Sequence, residues 1–149
     1  MTPEDLAALH RLAFTSERPW SAAEFASLLA EEHVRPLHHT YGFALIRTVA
    51  DESELLTLAV HPAHRRQHIG DTLVTEWLQS AKAAQAFLEV AADNRAAQTL
   101  YSKHGFVETG RRKAYYRRAG AASVDAVLMT AALPPRQAAE SPGKPSKTG

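Results

Sequence analysis

Between Leu55 and Gly70 the chain reads LLTLAVHPAHRRQHIG: an apolar run, a basic turn containing Pro62, and the opening of an amphipathic segment. No other stretch constrains the fold as much, because a strand that enters a helix through a short basic loop commits the chain to packing helix on sheet. It also aims the first amides of the helix at the loop. Those amides have no partners inside the helix, and the macrodipole adds partial positive charge there, so a pyrophosphate can dock on backbone alone. Arg65 and Arg66 strengthen that field. The helix is marked by Ile69, Leu73, Val74, Trp77, Leu78 and Ala81 at helical spacing, with Asp71, Thr75, Glu76 and Lys82 between them. Taken alone, the loop also fits an ordinary basic surface turn. His61, His64 and His68 raise metal binding as a third reading. Pro62 interrupts any helix through them and no Cys or carboxylate lies within the cluster, so no metal site is assigned.

The second half of the chain narrows the choice. Residues 86–106 read AFLEVAADNRAAQTLYSKHGF, a strand, a polar turn and a short helix. Asp93 or Asn94 can cap that helix, and Gly105 can take the left-handed conformation that ends it. Ala97, Leu100 and Tyr101 share one of its faces. In the strand, Leu88 and Val90 face one side and Glu89 the other, where a carboxylate in an apolar strand requires a reason. The residues by themselves leave a structural carboxylate and a catalytic base equally open. Tyr101 on pattern alone reads as core packing with a satisfied hydroxyl.

Two segments carry a resemblance. Arg65-Arg66-Gln67-His68-Ile69-Gly70 resembles the Q/R-x-x-G-x-G/A acyl-CoA loop of the GNAT superfamily of N-acetyltransferases, with His68 where the family usually has its first glycine. If that position needs a positive φ, histidine is among the less penalised replacements, and its amide survives. LEVAADNRAAQTLYSKHGF is similar to the LEV-x-x-x-N-x-x-A-x-x-L-Y-x-x-x-G-F segment of the bacterial ribosomal-protein-alanine N-acetyltransferase branch of that superfamily. RRKAYYRRAGAASVDAVLM and Pro19-Trp20-Ser21 resemble the same branch, and the similarity runs from about Leu6 to Leu133.

The resemblance implies a mixed α/β fold: a mostly antiparallel twisted sheet with a central splayed parallel strand pair and helices on both faces. It implies acetyl-CoA as cosubstrate, held by backbone groups of Leu58, Ala59 and Val60, by Arg65, Arg66, Gln67, His68, Ile69, Gly70 and Asp71, and by Asn94 on the pantetheine arm. It favours Glu89 as the base, acting directly or through a water, and Tyr101 as proton donor to the leaving thiolate. The implied acceptor is the N-terminal alanine α-amine of a ribosomal protein, reached by direct transfer. A lysine side chain, a small-molecule amine, or a non-catalytic CoA-sensing or protein-binding module are the competing readings.

Composition is consistent with this. The chain has 149 residues, 45% of them hydrophobic, and is expected to form one domain over 1–133 with a disordered polar tail over 134–149. With no Cys there is no disulfide and no thiol acyl-enzyme. The N-terminus places acids before its first base and lacks a long apolar run, so neither a signal peptide nor a membrane span is expected, and a cytoplasmic location is. A net charge of +1 makes no electrostatic case for nucleic-acid binding, and the clusters Arg111-Arg112-Lys113 and Arg117-Arg118 read first as solvated hairpin ends. Thr2-Pro3-Glu4-Asp5 starts a first helix with Leu6, Leu9 and Phe14 inward. Ser21 with Glu24 makes a capping box for a second through Phe25, Leu28 and Leu29. Residues 41–49 and 54–60 are expected to form a hairpin about the turn Asp51-Glu52-Ser53, and 124–133 a last strand.

Overall fold

The computed structural model describes residues 1–134, which form four α-helices and six strands. Helix α1 spans Pro3–Ala13 and α2 Ala22–Leu29, each opened by the reciprocal capping box that its sequence announces, Thr2 with Asp5 and Ser21 with Glu24. Strand β2 spans Gly42–Val49 and β3 Glu52–Val60. Helix α3 spans Ile69–Ser80, β4 Gln85–Ala91 and α4 Arg95–Lys103. Strands β5, Val107–Arg118, and β6, Ala121–Ala132, form a long hairpin that turns at Gly120 with φ 69°. The expected tail from residue 135 onward lies outside the described residues.

With an edge strand β1 at Val34–His39, the sheet order is β1-β2-β3-β4-β6-β5, antiparallel everywhere except between β3 and β4. Both faces are covered. Ala44, Ile46, Leu88 and Val90 join Leu73, Trp77 and Tyr101 in one core under α3 and α4. Phe43, Leu45 and Ala59 join Leu6, Leu9 and Phe25 in a second core under α1 and α2. Alternate residues of β2 therefore serve opposite cores, as a strand buried on both faces must.

Three expectations need correction. Strand β1, Val34–His39, is absent from the sequence reading because VRPLHH is polar and contains Pro36. Proline is tolerated there because β1 is an edge strand. Ser53 lies inside β3 rather than in the turn, fully buried, and its Oγ accepts the Trp77 indole N–H at 2.8 Å. Arg118 is not a solvated hairpin end: its side chain is 10% exposed and reaches back to Asp93 beside β4, whereas Arg112 stays exposed while pairing with Glu89 on β4.

One feature of the sheet makes the site. Strands β3 and β4 pair only from Glu52–Gln85 to Glu54–Phe87. The β2–β3 register slips between Leu45–Thr57 and Ile46–Leu55, an irregularity that bends β3 just past its last pair with β4. Beyond it the two parallel strands diverge.

Candidate active site

A cleft of about 1040 Å³ opens where the strands part. Leu58, Ala59 and Val60 line its β3 wall; they pair with Ala44, Phe43 and Gly42 of β2, while the edge toward β4 carries no ladder. Those free backbone groups suit the amides of a pantetheine arm.

At one end stands the N-terminus of α3. His68 is its N-cap, in the left-handed conformation with φ 61° and ψ 24°, and no side chain caps the helix. The first-turn amides are left for a ligand. Arg66 is also left-handed, with φ 68°, so the loop turns twice without a glycine. Gly70 serves packing: a Cβ there would come within 3.0 Å of Leu100 Cδ2 on α4. Asp71 accepts hydrogen bonds from His104 Nε2 at 2.9 Å and His68 Nδ1 at 3.2 Å, with Lys103 Nζ also at 3.2 Å. The His104 contact leads in holding the Asp71 carboxyl down at about 2. Asp71 thereby ties the α3 start to the end of α4.

The predicted loop residues do not all face the cleft. Arg65, Arg66, His68, Ile69, Gly70 and Asp71 line it. Gln67 is exposed, and its Oε1 lies 3.3 Å from His64 Nδ1. Arg65 also donates to the Ala13 carbonyl at 3.2 Å, at the end of α1. The three histidines do not converge on one point: His61 Nδ1 accepts the Ala63 amide and its ring meets His64 edge to face at 5.5 Å, His64 stacks on Tyr41, and His68 pairs with Asp71. Among the described residues no group of three or more His, Cys, Asp or Glu side chains is placed to hold a metal.

Glu89 and Tyr101 approach the cleft from different elements. Glu89 points to the face opposite Leu88 and Val90, and its Oε2 accepts Arg112 Nε at 2.6 Å. Tyr101 is 6% exposed beneath α4, packed edge-on against Phe106. No buried side-chain oxygen is left unsatisfied among the described residues, yet the Tyr101 hydroxyl has no partner there, so it opens on the cleft it lines. Burial pushes the phenol above its ordinary value, which keeps it protonated. Asn94 takes the capping role, its Oδ1 accepting the Ala97 amide at 3.1 Å.

Several lining residues escaped sequence reasoning. His10 is 3% exposed; its Nδ1 accepts the Trp20 amide at 3.2 Å, so Nε2 carries the proton and donates to Thr57 Oγ1 at 3.2 Å. Its place between Leu6 and Phe14 at four-residue spacing was the available signal. Tyr116 lines the far end, its phenol pushed up to about 12 by burial and then by the carboxylates of Glu17 and Glu89. Burial likewise raises the Glu17 carboxyl, against the lowering effect of Arg118. Nothing local in the sequence announces Glu17, Arg112 or Arg118, whose partners lie far along the chain.

An uncapped helix start, a basic loop, a free strand edge, a carboxylate and a protonated phenol fit a thioester-bearing nucleotide and an incoming amine. Residues 24–108 match the acetyltransferase (GNAT) domain family. The chain is 36% identical over 124 residues to the N-alpha-acetyltransferase RimI of Mycobacterium tuberculosis, covering 77% of this chain and 78% of that one. It is 36% identical over 123 residues to the ribosomal protein bS18-alanine N-acetyltransferase of Escherichia coli, covering 78% and 81%. The crystal structure of the ribosomal-protein-S18-alanine N-acetyltransferase from Escherichia coli superposes with a TM-score of 0.77 at 30% identity, over 85% of this chain and 84% of that one. With the family's match covering more than half its length, the chain belongs to the GNAT acetyltransferases.

Proposed function

We propose that this acetyltransferase modifies the α-amine of a protein N-terminus beginning with alanine, on a ribosomal protein, in the cytoplasm, by direct transfer from acetyl-CoA. The observation that carries the proposal is the cleft between the splayed strands, lined by the Glu89 carboxylate and by a Tyr101 hydroxyl without a protein partner. The choice of acceptor draws on the relatives, named for N-alpha or ribosomal-protein-alanine acetylation. Among the described residues no helix is long and apolar enough to cross a membrane.

When bound, acetyl-CoA supplies an acetyl thioester. The amides at the start of α3, with Arg65 and Arg66, hold its phosphates, and the free edge of β3 aligns its arm. The acceptor arrives as an ammonium at neutral pH, and Glu89 takes its proton, directly or through a water. The amine forms the new C–N bond as the C–S bond breaks; the Tyr101 hydroxyl gives its proton to the departing sulfur and regains one from the proton the new amide nitrogen sheds, while Glu89 releases the proton it took to solvent. Arg112 holds the Glu89 carboxylate in place until the ammonium competes for it. The test is turnover of acetyl-CoA with a panel of acceptors: a peptide beginning with alanine, the same peptide blocked at its α-amine but carrying lysine, and a polyamine. Acetylation confined to the free alanine terminus supports the proposal; preference for lysine or polyamine overturns the acceptor, and no turnover with any overturns catalysis.

A further inference from the structure

Arg118 closes β5 at the rim of the cleft, and its side chain is only 10% exposed despite a full charge. Its guanidinium grips Asp93 at two points, Nε to Oδ2 at 3.1 Å and Nη2 to Oδ1 at 2.8 Å. The same group donates to the Ser16 carbonyl at 3.4 Å, stands 3.7 Å from the Glu17 carboxylate, and lies over the Tyr116 ring at 5.8 Å. Three segments far apart in sequence therefore meet on one side chain: the 14–21 connection between α1 and α2, the β4–α4 turn, and the β5–β6 hairpin. Each bears on the chemistry. Asp93 precedes Asn94, the cap of the helix that carries Tyr101, and β5 also carries Arg112, the partner of Glu89.

A charge this enclosed is costly unless paired, and the rigid fork of a guanidinium is what lets one side chain satisfy a carboxylate and a carbonyl at once. None of its contacts involves the 65–71 loop. We propose that Arg118 is a positioning residue for the acceptor, holding the 14–21 connection and the β4–α4 turn at one separation so that the acceptor wall is formed before the acceptor enters. The proposal rests on the reading above: with the acetyl-CoA phosphates at the start of α3, the peptide amine comes in at the opposite end of the cleft, which Tyr116 and Arg118 line.

The test compares Arg118→Ala, Arg118→Lys and Asp93→Asn with the parent, using acetyl-CoA and a peptide beginning with alanine. Arg118→Ala is expected to raise KM for the peptide at least about tenfold, equivalent to roughly 1.4 kcal/mol. Lysine, a point charge, should not restore it, and Asp93→Asn should reproduce part of the rise. KM for acetyl-CoA should stay within about twofold, because none of the lost contacts involves the 65–71 loop or the start of α3. Hydrogen exchange should quicken at amides between Phe14 and Trp20 and not in α3. An unchanged peptide KM with unchanged exchange overturns the proposal, as does an equal rise in both KM values, which would mean general loosening. Should Arg118→Ala fail to fold, the other two variants carry the same readings. If the parent acetylates no such peptide, the acceptor reading fails by itself, and the exchange experiment still decides the positioning role.

Discussion

Glu89 was legible as a candidate because a carboxylate interrupts an otherwise apolar strand, but its working environment was not. Arg112, which holds it at 2.6 Å, lies 23 residues away, and only the sheet order β4-β6-β5 brings the two together across β6. Glu89→Gln keeps the shape and removes the base, so kcat should fall on the order of 10²–10⁴-fold while Tm moves little. Loss of the fold, or an unaffected rate, would return Glu89 to a structural role. Tyr101→Phe keeps the ring in its core and deletes only the hydroxyl, so a slower but active enzyme is expected. Burial raises the phenol above its ordinary 10.0, so the alkaline limb of the rate profile should look the same in Tyr101→Phe and parent. A limb near pH 10 that vanishes in the variant would show the phenol to be unshifted. His68→Gly addresses the loop residue that departs from the family pattern. With φ at 61° the imidazole is not what the turn requires, and glycine relieves strain on the order of 1 kcal/mol. KM for acetyl-CoA should change by less than about tenfold; a larger loss would assign the contact to the ring.

At the scale of elements, helices were read better than strands. Helices α1, α2 and α4 carry their own capping residues and α3 a long face at 3.6-residue spacing, so all four could be placed from local residues. The loop before α3 was legible as an anion site for the same reason, since the amides belong to the helix end. Strand β1 was not legible, because an edge strand needs only one partner and tolerates Pro36. The parting of β3 and β4 was implied by resemblance and is explained by the slip at Leu55–Thr57, which no residue in the strand announces. Gly70 admits a direct check at this scale. Gly70→Ala brings a methyl within 3.0 Å of Leu100, so α3 and α4 must ease apart or Leu100 must turn. The Asp71 bridges to Lys103 and His104 should loosen with them, and binding of acetyl-CoA should weaken several-fold in calorimetry. Unaltered binding would mean that Leu100 alone yields.

Across the whole molecule, His10 gives the packing between α1 and the sheet a sensitivity to acid. Burial holds His10 at about 4 against its ordinary 6.5, so the unfolded chain binds a proton near pH 6.5 that the folded chain refuses until about pH 4. Stability from this group is therefore full above that window, falls as pH drops through it, and levels off below, a loss on the order of 3 kcal/mol. His10→Phe retains a ring beside Phe14, Trp20 and Phe25 but cannot titrate, so denaturant unfolding between pH 7.5 and 4 should give a flatter profile than the parent's. Equal slopes would remove His10 from the account. Ser53 of the acidic turn, Arg118 and the inward histidine were misjudged or passed over, each because its partner lies on another element. By itself the sequence determined what depends on neighbours within a turn or two: helix faces and caps, the strand–loop–helix anion site, and the strand that carries Glu89. Only the tertiary structure decided the splay that opens the cleft and the pairing of Glu89 with Arg112 and of Arg118 with Asp93 and Glu17. Those contacts depend on sheet order and register, which are set by how six strands bury both faces at once and not by any local pattern.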